Sequence, residues 1–265
     1  MRTFGEIAAE QRAAPVIRSG RGGRAATKDV VWFAREVLGF DPDPRQEELL
    51  RCEAKQVILL CSRQWGKSTI AAIVAVYRAY TQANSLVIVA SPTERQSAEF
   101  LRKVRGFVTR LGCAARTDGH NRTSVQLRNG SRIVGLPGKE ANIRGFTADL
   151  LIIDEAARVT DELYKSLRPT VTVKNGGVWL LSTPWGKQGF FHENWEFGGN
   201  AWARFKVPAT ECARIARDRL ELERAQMGDS WFRQEYMCEF MAKEGQMFDS
   251  DLVRAALDEE EPWKL

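Results

Sequence analysis

Val57-Ile58-Leu59-Leu60-Cys61-Ser62-Arg63-Gln64-Trp65-Gly66-Lys67-Ser68-Thr69 carries an apolar stretch into a Gly-Lys-Ser loop. Asp149-Leu150-Leu151-Ile152-Ile153-Asp154-Glu155 carries a second apolar stretch into paired carboxylates. In phosphate loops of the pattern G-x-x-x-x-G-K-[ST], backbone N–H groups cradle the phosphates, the Lys meets the β- and γ-phosphates, and the following hydroxyl binds Mg²⁺. Gly66, Lys67 and Ser68 fit that pattern, with Cys61 in place of its first Gly. The loop as a whole, Ser62, Arg63, Gln64, Trp65, Gly66, Lys67, Ser68 and Thr69, is expected to line a nucleotide. Asp154 is placed to hold Mg²⁺ beside Ser68, and Glu155, which the metal does not need, is placed to polarise an attacking water. The two segments together describe a site for a nucleoside triphosphate and its magnesium.

Such groups act only on rigid supports. Gln56–Leu60 reads as a short buried strand and Ser68–Tyr80 as a buried helix, so the loop falls where a strand feeds a helix N-terminus, a natural anion site. The unbroken apolar run before Asp154 suits a strand buried on both faces, and ligands of open α/β sheets collect at the carboxyl ends of such strands. Asp-Glu-Ala-Ala also suits the start of a helix, which the water-polarising role does not exclude. Further strands are expected at Leu86–Ala90, Gly177–Ser182 and Trp202–Val207. Thr93 is expected to cap a helix running to about Arg110. Asn129-Gly130 between alternating runs in residues 123–136 signals a hairpin. Helices are expected over 29–40, over Arg45–Cys52 with Pro44 just before it, and over Asp161–Arg168. From Ala209 to about Phe240 the pattern reads as helical, in two pieces, Glu211–Met227 and Ser230–Phe240. Alternating strands and helices argue for a mostly parallel sheet between helices.

Composition sets outer limits. The chain has 265 residues, 44% of them hydrophobic, enough for one large domain or one domain with a small appendage. No apolar run is long enough for a membrane-spanning helix, so no membrane partner is expected. Cys52, Cys61, Cys113, Cys212 and Cys238 form no C-x-x-C pair, and only His120 and His192 are available beside them, which argues against zinc and for a reducing compartment. The net charge of +5 is compatible with a polyanionic partner without requiring one. Residues 1–28, rich in Gly and Arg, read as a mobile basic arm. Arg95, Arg102, Lys103, Arg105, Arg110 and Arg116 form a second basic region, open to reading as solvated surface or as a DNA-facing one.

Three motifs in order resemble the large terminase subunit, the DNA-packaging motor of tailed double-stranded DNA bacteriophages: Ser62-Arg63-Gln64-Trp65-Gly66-Lys67-Ser68, Ile153-Asp154-Glu155-Ala156-Ala157 and Leu181-Ser182-Thr183-Pro184-Trp185-Gly186. Phe232–Phe240 is similar to the segment closing that family's ATPase domain, and the resemblance runs from about Asp41 to Phe248. It implies an additional-strand (ASCE-type) P-loop NTPase fold, α/β, with a core over residues 29–207 and a small helical C-terminal lid over 208–248. It implies ATP hydrolysis coupled to translocation of DNA into a procapsid. By position, it makes Arg63 a γ-phosphate sensor, Gln46 a reader of adenine, Ser182 and Thr183 the motif that couples nucleotide state to the domain, and Arg144 a residue reaching a neighbouring subunit's nucleotide. Cys61 is ordinary there, since the family tolerates small residues at that place.

The partners so implied are double-stranded DNA gripped without regard to sequence, further copies of the chain in a ring (a pentamer on a portal), the portal protein and the small terminase subunit, in the cytoplasm of an infected host. Full-length members add a nuclease domain. Asp249 and Asp251 follow no buried strand, so residues 249–265 read as a linker toward that absent domain and no nuclease activity is expected of this chain. Two other classes stay open: a helicase-like nucleic-acid-dependent ATPase, and a non-hydrolysing nucleotide-gated binding module, which has no use for Glu155.

Overall fold

The computed structural model describes residues 29–112, 123–137 and 145–241. The basic arm, Arg116 and the 249–265 segment lie outside them. Strands β1 (Gln56–Cys61), β2 (Leu86–Ser91), β3 (Ser124–Gln126), β4 (Arg132–Pro137), β5 (Leu150–Asp154), β6 (Gly177–Ser182) and β7 (Ala203–Val207) form a seven-stranded sheet in the order β3-β4-β2-β5-β6-β1-β7. Every neighbouring pair is parallel except the β3–β4 hairpin. β6 lies between the phosphate-loop strand β1 and the carboxylate strand β5, so it is the additional strand of the expected fold.

The helices are α1 (Val30–Trp32, continuing as a π-helical turn over Phe33–Val37), α2 (Pro44–Leu50), α3 (Lys67–Thr81), α4 (Glu94–Arg110), α5 (Asp161–Leu167), α6 (Gly189–Phe197), α7 (Arg217–Met227) and α8 (Asp229–Glu235). Side chains alternate along β1. Val57, Leu59 and Cys61 face one core with Ile70, Ile73, Phe100 and Val104 of α3 and α4, while Ile58 and Leu60 face the other with Leu163, Leu167, Phe190 and Phe191 of α5 and α6. Both faces are therefore dry, and truncating a buried residue such as Ile58 to Ala costs about 2–5 kcal/mol in transfer and cavity terms. α4 lies close on the sheet because Gly135 of β4 has no side chain: a Cβ there would stand 2.6 Å from Ser97 Oγ and 2.8 Å from Leu101 Cδ1.

The strand and cap expectations hold to within a residue or two. Thr93 accepts from Gln96 N as the cap of α4, Pro44 opens α2, and Leu127 N donates to Ser131 O across the Asn129-Gly130 turn, where Gly130 has φ 83°. Four readings change. Helix 29–40 turns π-helical after Trp32, with Leu38 N donating to Phe33 O five residues back. The Asp-Glu-Ala-Ala start is only a 3-10 turn, Ala156–Arg158, because Glu155 sits in the left-handed region at φ 55°. The expected helix over Glu211–Met227 begins only at Arg217, and that over Ser230–Phe240 ends at Glu235, with Cys238 at φ 57° and its thiol donating to Val207 O. α6 was unforeseen: it starts among glycines, and its Phe190 N is capped from another helix by Asp161 Oδ1 at 2.8 Å. A cap supplied from a distant part of the chain leaves no local signal.

Candidate nucleotide site

Register assembles the site. Leu60 of β1 pairs with Ser182 of β6, and Asp154 of β5 pairs with Leu181 of the same strand, so the phosphate loop, the carboxylates and Ser182 share the carboxyl edge of the sheet. Ser62–Gly66 link β1 to α3. The turn needs left-handed backbone at Gln64 (φ 61°) and at Gly66 (φ 102°), and a Cβ on Gly66 would come 3.2 Å from Gln46 Nε2. Gly66 O then accepts from Thr69 N and Ile70 N, starting α3 with its free N–H groups toward the loop.

Lys67 is buried, and its Nζ lies 3.0 Å from Glu155 Oε1. Burial works against the ammonium, but the Glu155 and Asp154 carboxylates beside it more than offset it, so Lys67 is held above its ordinary value and stays charged. Asp154 is fully enclosed: burial raises its carboxyl, Lys67 pulls the other way, and the Ser68 hydroxyl hydrogen-bonds it. Its Oδ1 is buried with no hydrogen-bond partner. A buried, unpartnered carboxylate oxygen beside a serine hydroxyl is a hard-oxygen donor set, and it fits a magnesium ion that takes its remaining ligands from water and phosphate. Beside it opens a cavity of about 200 Å³, lined by Ser68, Asp154 and Glu155 and, from α4, by Arg95, Glu99 and Lys103. Cys61 is inert as a nucleophile, since burial pushes its thiol up to about 12.

The remaining expected residues fall less uniformly. Ser182 is buried and its Oγ accepts from Ala157 N at 3.2 Å, tying the turn after the carboxylates to the expected coupling strand; Thr183 is buried next to it. Trp65 is corrected: its indole belongs to the core, and only its backbone belongs to the loop. Gln46 is completely buried. Its Oε1 accepts from Asp43 N at 3.1 Å in a capping box, and its Nε2 donates to Trp65 O at 2.9 Å, so it braces the loop from below. Arg63 reaches away from the loop to α8, its Nε donating to Glu235 Oε2 at 2.6 Å, and that hydrogen bond holds the guanidinium above its ordinary value. Arg144 lies outside the described residues.

Sequence reasoning missed Arg158, Trp185, Arg214 and Glu235 as site residues. Arg214 donates to Trp65 O, beside Gln46, and faces Asp43 Oδ2 at 3.6 Å. Glu235 is a buried carboxylate on α8. Its one legible signal was an acidic residue within a segment rich in aromatics, Trp231-Phe-Arg-Gln-Glu-Tyr236.

Residues 58–254 match the family model described as terminase large subunit, T4likevirus-type, N-terminal. The large terminase subunit of Thermus phage G20c is 26% identical over 251 residues, covering 80% of this chain and 51% of that protein. The chain thus spans about half the length of the curated relatives it matches. Among solved structures, the large terminase ATPase domain of Thermus phage P74-26 superposes with a TM-score of 0.71 at 24% identity, covering 78% of this chain and 97% of that one. The large terminase of the thermophilic bacteriophage D6E in complex with ATP-gamma-S superposes at 0.63 with 13% identity, covering 85% of this chain and 55% of that one.

Proposed function

The chain belongs to the T4likevirus-type terminase large-subunit family, matching its N-terminal part, and from that premise we propose that it hydrolyses ATP to drive double-stranded DNA into a procapsid. The observation that carries the reading is the meeting of Lys67, Ser68, Asp154 and Glu155 at one sheet edge, with Lys67 and Glu155 in direct contact. The likeness to a large terminase in complex with ATP-gamma-S supports the choice of nucleotide.

In this reading the triphosphate lies on the N–H groups of the loop and of the first turn of α3. Lys67 gives its charge to the γ-phosphate and lets go of Glu155 Oε1. Glu155 is then free to accept a proton from water as it attacks, a role worth on the order of 10²–10⁴ in rate. Ser68 and Asp154 would hold magnesium, which when bound supplies charge stabilisation on the phosphate oxygens. Arg63, parked on Glu235, has the reach and charge to serve the phosphates. Gln46 fixes the loop and keeps a second amide hydrogen for the base. Ser182 and Thr183 relay the state of the turn after Glu155 into β6. The basic face of α4, with Arg95 and Lys103 at the mouth of the cleft, suits a DNA backbone and places that contact next to hydrolysis.

The partners proposed with this activity are double-stranded DNA, further copies of the chain in a pentameric ring on a portal, the portal protein and the small terminase subunit, in the host cytoplasm. The described part of the 208–248 segment, which carries α7 and α8, is proposed to act as a lid over the loop, with Arg63 N donating to Glu235 O at 3.2 Å. Steady-state ATP hydrolysis by the purified chain, with and without magnesium and double-stranded DNA of unrelated sequences, tests the proposal. Magnesium-dependent turnover that any duplex stimulates is expected. ATP bound but never hydrolysed would instead indicate a nucleotide-gated binding module.

A further inference from the structure

Among the described residues of the site, Glu155 is the one held in the left-handed region without being a glycine or part of the phosphate loop. Such a conformation costs about 1–3 kcal/mol and persists only where the surroundings over-determine it. Its immediate restraint is the 3-10 turn that follows, in which Arg158 N donates to Glu155 O at 2.9 Å and Ala157 N donates to Ser182 Oγ. The Arg158 side chain extends from that turn and does two things at once. Its guanidinium carbon lies 3.8 Å from the centroid of the Trp185 ring, and its Nη2 lies 3.6 Å from Glu235 Oε1. That oxygen is buried and has no hydrogen bond of its own. Arg63 pairs with the other oxygen of the same carboxylate at 2.6 Å, and Arg158 is the second cation, facing Oε1. A planar guanidinium can present a face to an aromatic ring and an edge to a carboxylate together, which an ammonium cannot.

We propose that Arg158 is a positioning residue for hydrolysis, a strut clamped between Trp185 and the α8 carboxylate Glu235 that holds the turn keeping Glu155 aimed at its water. The proposal rests on the reading of Glu155 as the water-polarising carboxylate. Trp185 stands three residues beyond Ser182, so the strut also links the strand end expected to couple nucleotide state with α8, two elements that share no sequence neighbourhood. A shift of α8 is felt at the Glu155 turn through Arg158, alongside the Arg63–Glu235 pair that ties α8 to the phosphate loop.

The test has a structural arm and a kinetic arm. Hydrogen exchange is measured on nucleotide-free protein in the segments 155–159 and 229–235 for the wild type, R158K, W185L and W185F. R158K keeps the charge but loses the flat face, W185L loses the ring, and W185F keeps a ring. R158K and W185L are expected to speed exchange in both segments by roughly 3- to 30-fold, the range of a desolvated cation–ring contact, while W185F stays near the wild type. Unchanged exchange in both segments, or a change confined to the Trp185 loop, overturns the strut. This arm needs neither nucleotide nor turnover, so it decides the strut even if the wild type hydrolyses nothing, a result that would strike the ATPase reading instead. In the kinetic arm, R158K and W185L should lower kcat by a similar factor with KM unchanged, and the double variant should fall no further than either single one. Loss expressed in KM alone would make Arg158 a nucleotide-binding residue and overturn the positioning role.

Discussion

Lys67 Nζ and Glu155 Oε1 lie 3.0 Å apart, one from the first turn of α3, which follows β1, and the other from just past the end of β5, two strands that β6 separates in the sheet. The cation suited to phosphate and the carboxylate suited to water hold each other. Both are mostly buried, with side chains 11% and 21% exposed, so neither finds in solvent what it would lose on separation. In the proposed mechanism an incoming γ-phosphate gives Lys67 a stronger partner, and the same exchange releases Glu155.

Glu155→Gln is therefore expected to abolish hydrolysis, a fall of about 10²–10⁴, while ATP binding is kept or tightened. The amide preserves shape but offers Lys67 no charge, so the lysine is less occupied when nucleotide arrives. Equilibrium titration with a fluorescent ATP analogue, alongside turnover, checks both halves. Native turnover in the Gln variant would remove Glu155 from its role.

Asp154→Asn is expected to stabilise the nucleotide-free fold while destroying its response to magnesium. Burial raises the Asp154 carboxyl, so the folded state holds that proton more tightly than the unfolded chain does. Stability from this group is present at acid pH and is lost as pH rises from the ordinary carboxylate range through the raised value. The Asn variant lacks that loss. It should melt above the wild type near neutral pH, with the gap closing below about pH 4. With magnesium and ATP the order should reverse, because only the wild type gains binding energy. Calorimetry across pH decides it, and a less stable Asn variant at neutral pH would contradict the burial argument.

What the sequence disclosed and what it hid divide along a physical line. The loop, its Lys67-Ser68 pair and the Asp154-Glu155 pair were legible because backbone chemistry fixes their local spacing. β1, β5 and β6 were legible because strands buried on both faces read as unbroken apolar runs. Glu235 meeting Arg63 and Arg158 was not legible, since those contacts join positions separated by 172 and by 77 residues, which no local period records. Gln46 shows the intermediate case: its position fitted an expected reader of adenine, but its burial beneath Trp65 O became visible only with α2 and the loop in place.

Gln46→Ala should accordingly cost stability as well as nucleotide recognition. Removing the buried amide leaves Asp43 N without its acceptor, worth about 1–3 kcal/mol, and leaves Trp65 O with Arg214 as its remaining donor. A clear fall in melting temperature without nucleotide is expected, together with weaker discrimination of ATP from GTP. A variant that melts like the wild type would show that Gln46 is no brace.

DNA binding by this chain should be weak, indifferent to sequence and steeply dependent on salt. A motor that passes any genome is served by phosphate contacts, while base contacts would stall it. Arg95 and Arg102 stand exposed on α4, although Arg102 is shared with Glu99 at 2.6 Å. Each phosphate contact removed should lower the slope of log affinity against log salt by about 0.9. Anisotropy titrations of Arg95→Ala and of a chain lacking residues 1–28 should show shallower slopes and no new sequence preference. A tight complex with one sequence that survives high salt would point to a site-specific DNA-binding protein.

The last prediction concerns subunits acting together. Arg63 is tied to Glu235 of its own chain, so it serves only its own site. Arg144, outside the described residues, is proposed to reach a neighbour's nucleotide, and an arginine supplied in that way is worth roughly 10³–10⁵ in turnover. Isolated chains should then be poor ATPases whose specific activity climbs with concentration. Arg144→Ala subunits keep an intact Lys67 site, and Lys67→Ala subunits keep an intact Arg144. Each alone should be nearly inactive, and mixing them should restore turnover, because one supplies the site and the other the arginine. Mixtures that stay inactive at concentrations where the two variants associate would confine hydrolysis to residues of a single chain, leaving Arg63 as the arginine that faces the phosphates.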